Sequence, residues 1–190
     1  MSGERLHHEV LIAGFGGQGV VLAGQLLANA ALAEGREVVW APSYGPEMRG
    51  GPVHCTIIVA SQRIGSPEVS LADSLLIMDH ASLDRLAHRV KPDGLFILNS
   101  SLVRAKPEND TCEILPIPAN DAAQELGNPR VANVIMLGAF LEKRPIVSPG
   151  SLERAMRLLA GKGYEHLIAI NQQALARGAD LAREAGADGS

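Results

Sequence analysis

The nine residues AGFGGQGVV, 13 to 21, limit the possible folds more than any other stretch. They close the apolar run EVLIAGFG (9–16) and lead into Val20, Val21, Ala23, Leu26, Leu27, Ala30 and Ala31 at helical spacing. That pattern predicts a buried parallel strand, a tight turn, and a helix over 17–34 with Gly35 as its C-cap. Gly14, Gly16 and Gly19 satisfy G-x-G-x-x-G. Glycines in such a turn let backbone N–H groups approach an anion, and the helix N-terminus adds partial positive charge. Three uses follow: a dinucleotide cradle, a contact for another anion or a partner subunit, or a turn that only packs helix on strand.

The dinucleotide reading needs an acid at the C-terminal end of the second strand, about 20 residues on, to hold the ribose hydroxyls. The second strand is EVVWAP (37–42), stopped by Pro42, and its C-terminal end carries Trp40, Ala41, Pro42 and Ser43. Glu37 has the right spacing but starts the strand, at the wrong edge of the sheet. Gln18 beside the turn offers two donors and one acceptor, more than a pyrophosphate cradle needs.

A second motif, SYGPEMRGGPV (43–53), leaves the second strand at the same edge as the glycine turn. Pro42 and Pro46 stiffen it, and Gly45, Gly50 and Gly51 open backbone conformations closed to other residues. Arg49 presents a planar fork suited to carboxylate or phosphate, with Glu47 placed to orient it. The competing reading is a solvated Glu–Arg pair of little energetic weight.

Further strands are expected at 53–61, 74–79, 94–100 and 111–119, and further helices at 80–90, 121–127, 128–143, 148–163 and 165–185. Strands alternating with helices early and helices dominating late argue for a three-layer α/β/α sandwich. Its sheet is mainly parallel, with room for one antiparallel strand, and its first unit is Rossmann-like. The 190 residues suit a single domain, with loose ends at about 1–8 and 184–190. Aromatics are only 3%, so Val, Ile, Leu and Ala must fill the core.

The net charge of −4 gives no basic face for nucleic acid, and no apolar run is long enough to span a bilayer. Cys55 and Cys112 cannot form a disulfide framework or a four-cysteine cluster, and they suit a reducing cytoplasm. No P-loop, thiamine diphosphate site or GxSxG elbow is evident. No two of His7, His8, His54, His80, His88 and His166 have metal-ligand spacing. His80, beside Asp79 at the productive sheet edge, is the best-placed of them as a catalyst. Asn99, Ser100 and Ser101 bring polar groups to the same edge or cap the next segment. A phosphate-competent turn and a rigid charged loop without a catalytic set describe a subunit of a larger enzyme.

On GFGGQGV and SYGPEMRGGPV the chain resembles the gamma subunits of 2-oxoacid:ferredoxin oxidoreductases, most closely the 2-oxoglutarate and 2-oxoisovalerate group. The likeness continues through IGSPEV (64–69), DSLLIMDHASLDRL (73–86), KPDGLFILNSSLV (91–103) and NVIMLGAFLE (133–142). The beta subunit of indolepyruvate oxidoreductase shares the GGQG turn and the RGG but has a different peptide where YGPE stands here. The resemblance implies a three-layer α/β/α gamma domain. It also implies a holoenzyme that oxidatively decarboxylates a 2-oxoacid with coenzyme A to acyl-CoA, CO2 and reduced ferredoxin. Thiamine diphosphate, Mg2+ and iron–sulfur clusters would sit on alpha, beta and ferredoxin-like delta subunits, with none bound by this chain. Contact to coenzyme A, another anion or a sister subunit would fall on Phe15, Gly16, Gly17, Gln18 and Gly19 from the first motif. Tyr44, Gly45, Glu47, Arg49, Gly50 and Gly51 would contribute from the second. The resemblance assigns no catalytic or metal residue in this subunit, and an isolated chain would be inactive and prone to pair with itself.

Overall fold

The computed structural model of the chain describes residues 6–46, 50–105, 107, 111–160 and 166–187. Its strands are β1 (His7–Phe15), β2 (Glu37–Tyr44), β3 (Pro52–Ala60), β4 (Ala72–Ile77), β5 (Val90–Asn99) and β6 (Glu113–Ile117). Its helices are α1 (Val20–Ala33), α2 (His80–Leu86), α3 (Ala119–Glu125), α4 (Ala132–Lys143), α5 (Pro149–Ala160) and α6 (His166–Ala187). One six-stranded sheet runs β2-β3-β1-β4-β5-β6, parallel at every pairing except those of β3 with β1 and β2. The α/β/α expectation with one antiparallel strand therefore holds.

Several boundaries differ from the sequence reading, each for a physical reason. The second strand does not stop at Pro42 but continues to Tyr44, pairing Pro42 with Cys55. β2 is an edge strand, where a missing N–H need not break the ladder. The opposite edge strand, β6, carries Pro116 in the same way. β5 starts at Val90 rather than 94, because its register against β4 shifts between Ala72 and Ser74 to accommodate the KPDG segment. Asp93 there sits at φ 61, a conformation Asp tolerates better than most residues. His7 and His8 are part of β1 rather than a loose end, and α6 carries the chain through 184 to Ala187.

The two sheet faces are covered unequally. Val10, Ile12, Cys55, Ile57, Leu76 and Ile97 join the larger cluster beneath α1, α3, α4, α5 and α6. Leu11, Ala13, Ile58, Leu75, Ile77 and Phe96 pack with Leu83 and Leu86 of the short α2. α4 is apolar all round, as a helix buried on every side must be, and ten of its 12 residues are buried. It meets α6 at almost bare backbone. A methyl on Gly138 would lie 2.1 Å from the Leu175 carbonyl oxygen, and one on Gly178 would lie 2.0 Å from that of Ile135. These two glycines set the interhelical distance.

The N-terminal edge of the parallel strands is held by charge. Lys91 Nζ bridges Glu9 Oε2 at 2.9 Å and Asp73 Oδ1 at 2.8 Å, and the Glu9 N–H donates to Asp73 Oδ2 at 2.8 Å. Burial opposes the Asp73 carboxylate, but the hydrogen bonds from Lys91 and Glu9 outweigh it and hold its pKa low. His8 Nε2 lies 2.9 Å from Ser74 Oγ, and its ring leans on Phe140 with centroids 6.0 Å apart. Burial lowers the His8 pKa, with Arg144 and Lys91 adding to that effect against the pull of Asp73 and Glu9.

Two expectations follow. Gly178→Ala destabilises the fold by about 3 kcal/mol, because neither backbone can give way; an unchanged midpoint in urea refutes this reading of the α4–α6 contact. Burial lowers the His8 pKa in the fold, so as pH falls below its ordinary value of 6.5 the unfolded chain takes up a proton more readily than the native site does. Its contribution is complete above that value and is lost as pH falls below it, through the lowered pKa of the folded state. Urea melts across that range must show a shallower decline for His8→Gln than for the parent chain.

Candidate functional site

The edge formed by the C-terminal ends of the parallel strands gathers both sequence motifs. β1 ends at Phe15, and the chain turns through Gly17 at φ 109 and Gly19 at φ 76 before α1 begins at Val20. Positive φ at both positions favours glycine. β2 and β3 form a hairpin whose connection is the second motif, so its last residues return alongside the turn. Gly16 N donates to Gly51 O at 3.0 Å, and Gly45 N donates to Pro52 O at 2.7 Å. A methyl on Gly16 would come within 3.3 Å of Gly50 N. Turn and hairpin are thus adjoining parts of one antiparallel ladder, in which Phe15 pairs with Pro52.

The dinucleotide reading fails on this geometry. In a nucleotide-binding βαβ unit the first and second strands are neighbours. Here β3 lies between them, which moves the end of β2 a further strand away. The strand order reverses between β1 and β4, since α1 lies on one face and α2 on the other. A ligand would enter an open α/β sheet at that crevice. Gln18 fills it instead. Its Oε1 accepts from Phe15 N at 2.9 Å and its Nε2 donates to Met78 O at 3.2 Å, tying the end of β1 to the residue after β4. Gly14 has no side chain because Gln18 occupies that space: a methyl would lie 2.4 Å from Gln18 Oε1.

The Met78 carbonyl also accepts from Asn99 Nδ2 at 3.1 Å, and Asn99 Nδ2 reaches Asn120 Oδ1 at 2.7 Å. Asn133 Nδ2, from the start of α4, donates to Gly19 O at 3.1 Å and so fixes the turn from behind. Sequence reasoning placed Asn99 at this edge but missed Asn133, whose signal is a lone amide among the apolar residues of NVIMLGAFLE.

Of the residues singled out from sequence, Phe15, Gly16, Gly17, Gln18, Gly19, Tyr44, Gly45, Gly50 and Gly51 come together at this edge. Glu47 and Arg49 lie outside the described residues. The structure assigns His80 and Asp79 other tasks. Asp79 caps α2, accepting from Ser82 N and Ser82 Oγ at 3.0 Å each, while His80 is exposed 3.9 Å from Asp84. Ser101 Oγ accepts from Asp121 N in the first turn of α3, 20 residues on, so it ties that helix to the sheet edge rather than capping the segment that follows it. Burial pushes the Cys55 thiol up to about 12, so it is inert packing material against α1.

Aromatic placement sharpens the picture. Phe96 and Phe140 are fully buried, whereas Phe15, Trp40 and Tyr44 are 40%, 38% and 66% exposed, all on β1 and β2. Phe15 and Tyr44 flank the joined motifs at the strand ends, on opposite faces of the sheet, while Trp40 lies in mid-strand against α1. Among the described residues no group of three or more His, Cys, Asp or Glu is arranged to hold a metal, and no helix is long and apolar enough to cross a membrane.

Comparison with known proteins agrees with this fold. Residues 9–181 match the family model for pyruvate ferredoxin/flavodoxin oxidoreductase. The ketoisovalerate oxidoreductase subunit VorA of Methanothermobacter thermautotrophicus is 38% identical over 177 residues, covering 92% of this chain; the chain spans only 36% of that relative's length. The 2-oxoglutarate synthase subunit KorC of Methanocaldococcus jannaschii is 34% identical over 184 residues, covering 95% of this chain and 96% of its own. The crystal structure of the gamma subunit of a keto/oxoacid ferredoxin oxidoreductase from Geobacter sulfurreducens PCA superposes with a TM-score of 0.80 at 29% identity. That match covers 94% of this chain and 99% of the other. The chain belongs to the pyruvate ferredoxin/flavodoxin oxidoreductase family.

Proposed function

We propose that this chain is the gamma component of a 2-oxoacid:ferredoxin oxidoreductase. The assembled enzyme decarboxylates a 2-oxoacid, joins the acyl group to coenzyme A, and passes the electrons to ferredoxin in the cytoplasm. Among substrates we favour 2-oxoglutarate. The 2-oxoglutarate synthase relative matches this chain along nearly its whole length, and YGPE precedes RGG here.

One observation carries the assignment of the site. The Gly16–Gly51 hydrogen bond fuses the two motifs into a single edge flanked by exposed aromatics. That edge is the surface for coenzyme A or for the sister subunit that holds it, with Arg49 supplying charge to a phosphate or carboxylate. Thiamine diphosphate with Mg2+ and the iron–sulfur clusters fit the alpha, beta and delta subunits and not this chain. Two cysteines cannot supply four thiolates, and one of them is too strongly buried to ionise. Without those partners the isolated chain is inactive and pairs with itself through exposed leucines such as Leu32 and Leu158.

Arg49→Ala in the assembled enzyme separates the two uses of the edge. If it contacts coenzyme A, the complex still co-purifies and the apparent KM for coenzyme A rises about tenfold, the loss of one charge-assisted hydrogen bond. If subunits no longer co-purify, the loop is a docking element. An unaltered KM with intact assembly removes Arg49 from the site. A free-standing nicotinamide enzyme, the other reading of G-x-G-x-x-G, is tested by titrating the chain with NADH. With Gln18 in the crevice the fluorescence must show no saturation in the micromolar range, and saturation there revives that reading.

A further inference from the structure

A groove of about 580 Å3 opens beside the glycine turn, between the first turns of α1 and α4 and the facing ends of α5 and α6. It lies within the usual size of small-molecule sites. Leu22, Leu26, Met156 and Leu167 form much of its apolar wall. Leu22, in the first turn of α1, is 46% exposed and presents its side chain to this groove.

Asn128, Arg130, Asn133 and Asn171 line it, and among the described lining residues there is no Asp or Glu. Two of the amides are already committed: Asn128 Oδ1 accepts from Arg130 N, and Asn133 Nδ2 donates to Gly19 O. The Asn128 bond leaves its own NH2 to donate, and the permanently charged Arg130 lines the same groove. Among the described residues that line it there is one cation and no carboxylate, in a chain whose net charge is −4.

From the volume, the apolar walls and this charge we infer that the groove binds a small amphipathic monoanion. Its apolar body lies against Leu22, Leu26 and Met156, and its carboxylate meets Arg130 and the Asn128 amide. Leu22 and Leu26 are one helical turn apart, so the wall runs roughly 6 Å along α1. With the facing α6 side added, it suits a chain of roughly six to ten carbons. The site is separate from the Gly16–Gly51 edge but shares the α1 turn with it through Asn133 and Gly19. An occupant would therefore brace the turn from below. This reading does not depend on which 2-oxoacid the assembled enzyme uses.

Octanoate and octanol are the probes, titrated into the full chain and followed by the methyl resonances of Leu22, Met156 and Leu167. Octanoate is expected to shift these signals saturably below about 1 mM. Arg130→Gln should weaken octanoate about fivefold, the size of one partly exposed ion pair, and leave octanol unchanged. Leu22→Glu, at an exposed position that the fold does not need, should weaken octanoate at least about tenfold with the thermal midpoint retained. Three results overturn the inference: no saturable shift up to about 10 mM in the folded chain, an equal effect of Arg130→Gln on both probes, or undiminished binding in Leu22→Glu.

Discussion

β3 runs antiparallel between β1 and β2, so that Val53 pairs with Gly14 on one side and Tyr44 on the other. The arrangement at the strand ends follows from that insertion. The insertion parts the two strands that would otherwise share a nucleotide. It also brings the close of the hairpin against the glycine turn, where Gly51 takes the Gly16 N–H that a phosphate would have used. Gln18 completes the change by occupying the remaining crevice with two hydrogen bonds of its own. The same glycine spacing that cradles pyrophosphate elsewhere here serves to let one backbone lie flat against another.

The fold was largely legible in the sequence because its signals are local. Apolar runs, β-branched stretches and proline at helix starts such as Pro129 and Pro149 mark the elements with little help from tertiary context. Strand order was not legible. Nothing in VHCTIIVA says that it pairs back between two earlier strands, since antiparallel and parallel partners demand the same residue types on a doubly covered sheet. Pro42 misled as a stop signal because its tolerance depends on β2 lying at the sheet edge, which is a property of the whole sheet.

The site was legible to the extent that its backbone demands glycine. The two motifs were found, and so was the edge they share. What the side chains do there was not readable. Gln18 looked like an extra polar group and is the brace of the turn, while His80 looked best placed as a catalyst and the Asp79 beside it is a helix cap. Both roles rest on distances between segments some 60 residues apart or on the onset of a helix, and composition carries neither.

Proline occupies both outer strands of this sheet, Pro42 on β2 and Pro116 on β6. Each outer strand therefore offers an interrupted row of donors, and a second sheet laid alongside would find a gap in mid-strand. Under the proposed role as one component of a larger enzyme, the chain gains from this. Its association is steered away from open-ended strand stacking and toward the strand ends and helical flanks, where side chains rather than backbone decide who binds. The two prolines make the sheet a closed unit in assembly, finite in one direction, whatever the number of neighbours it acquires in the others.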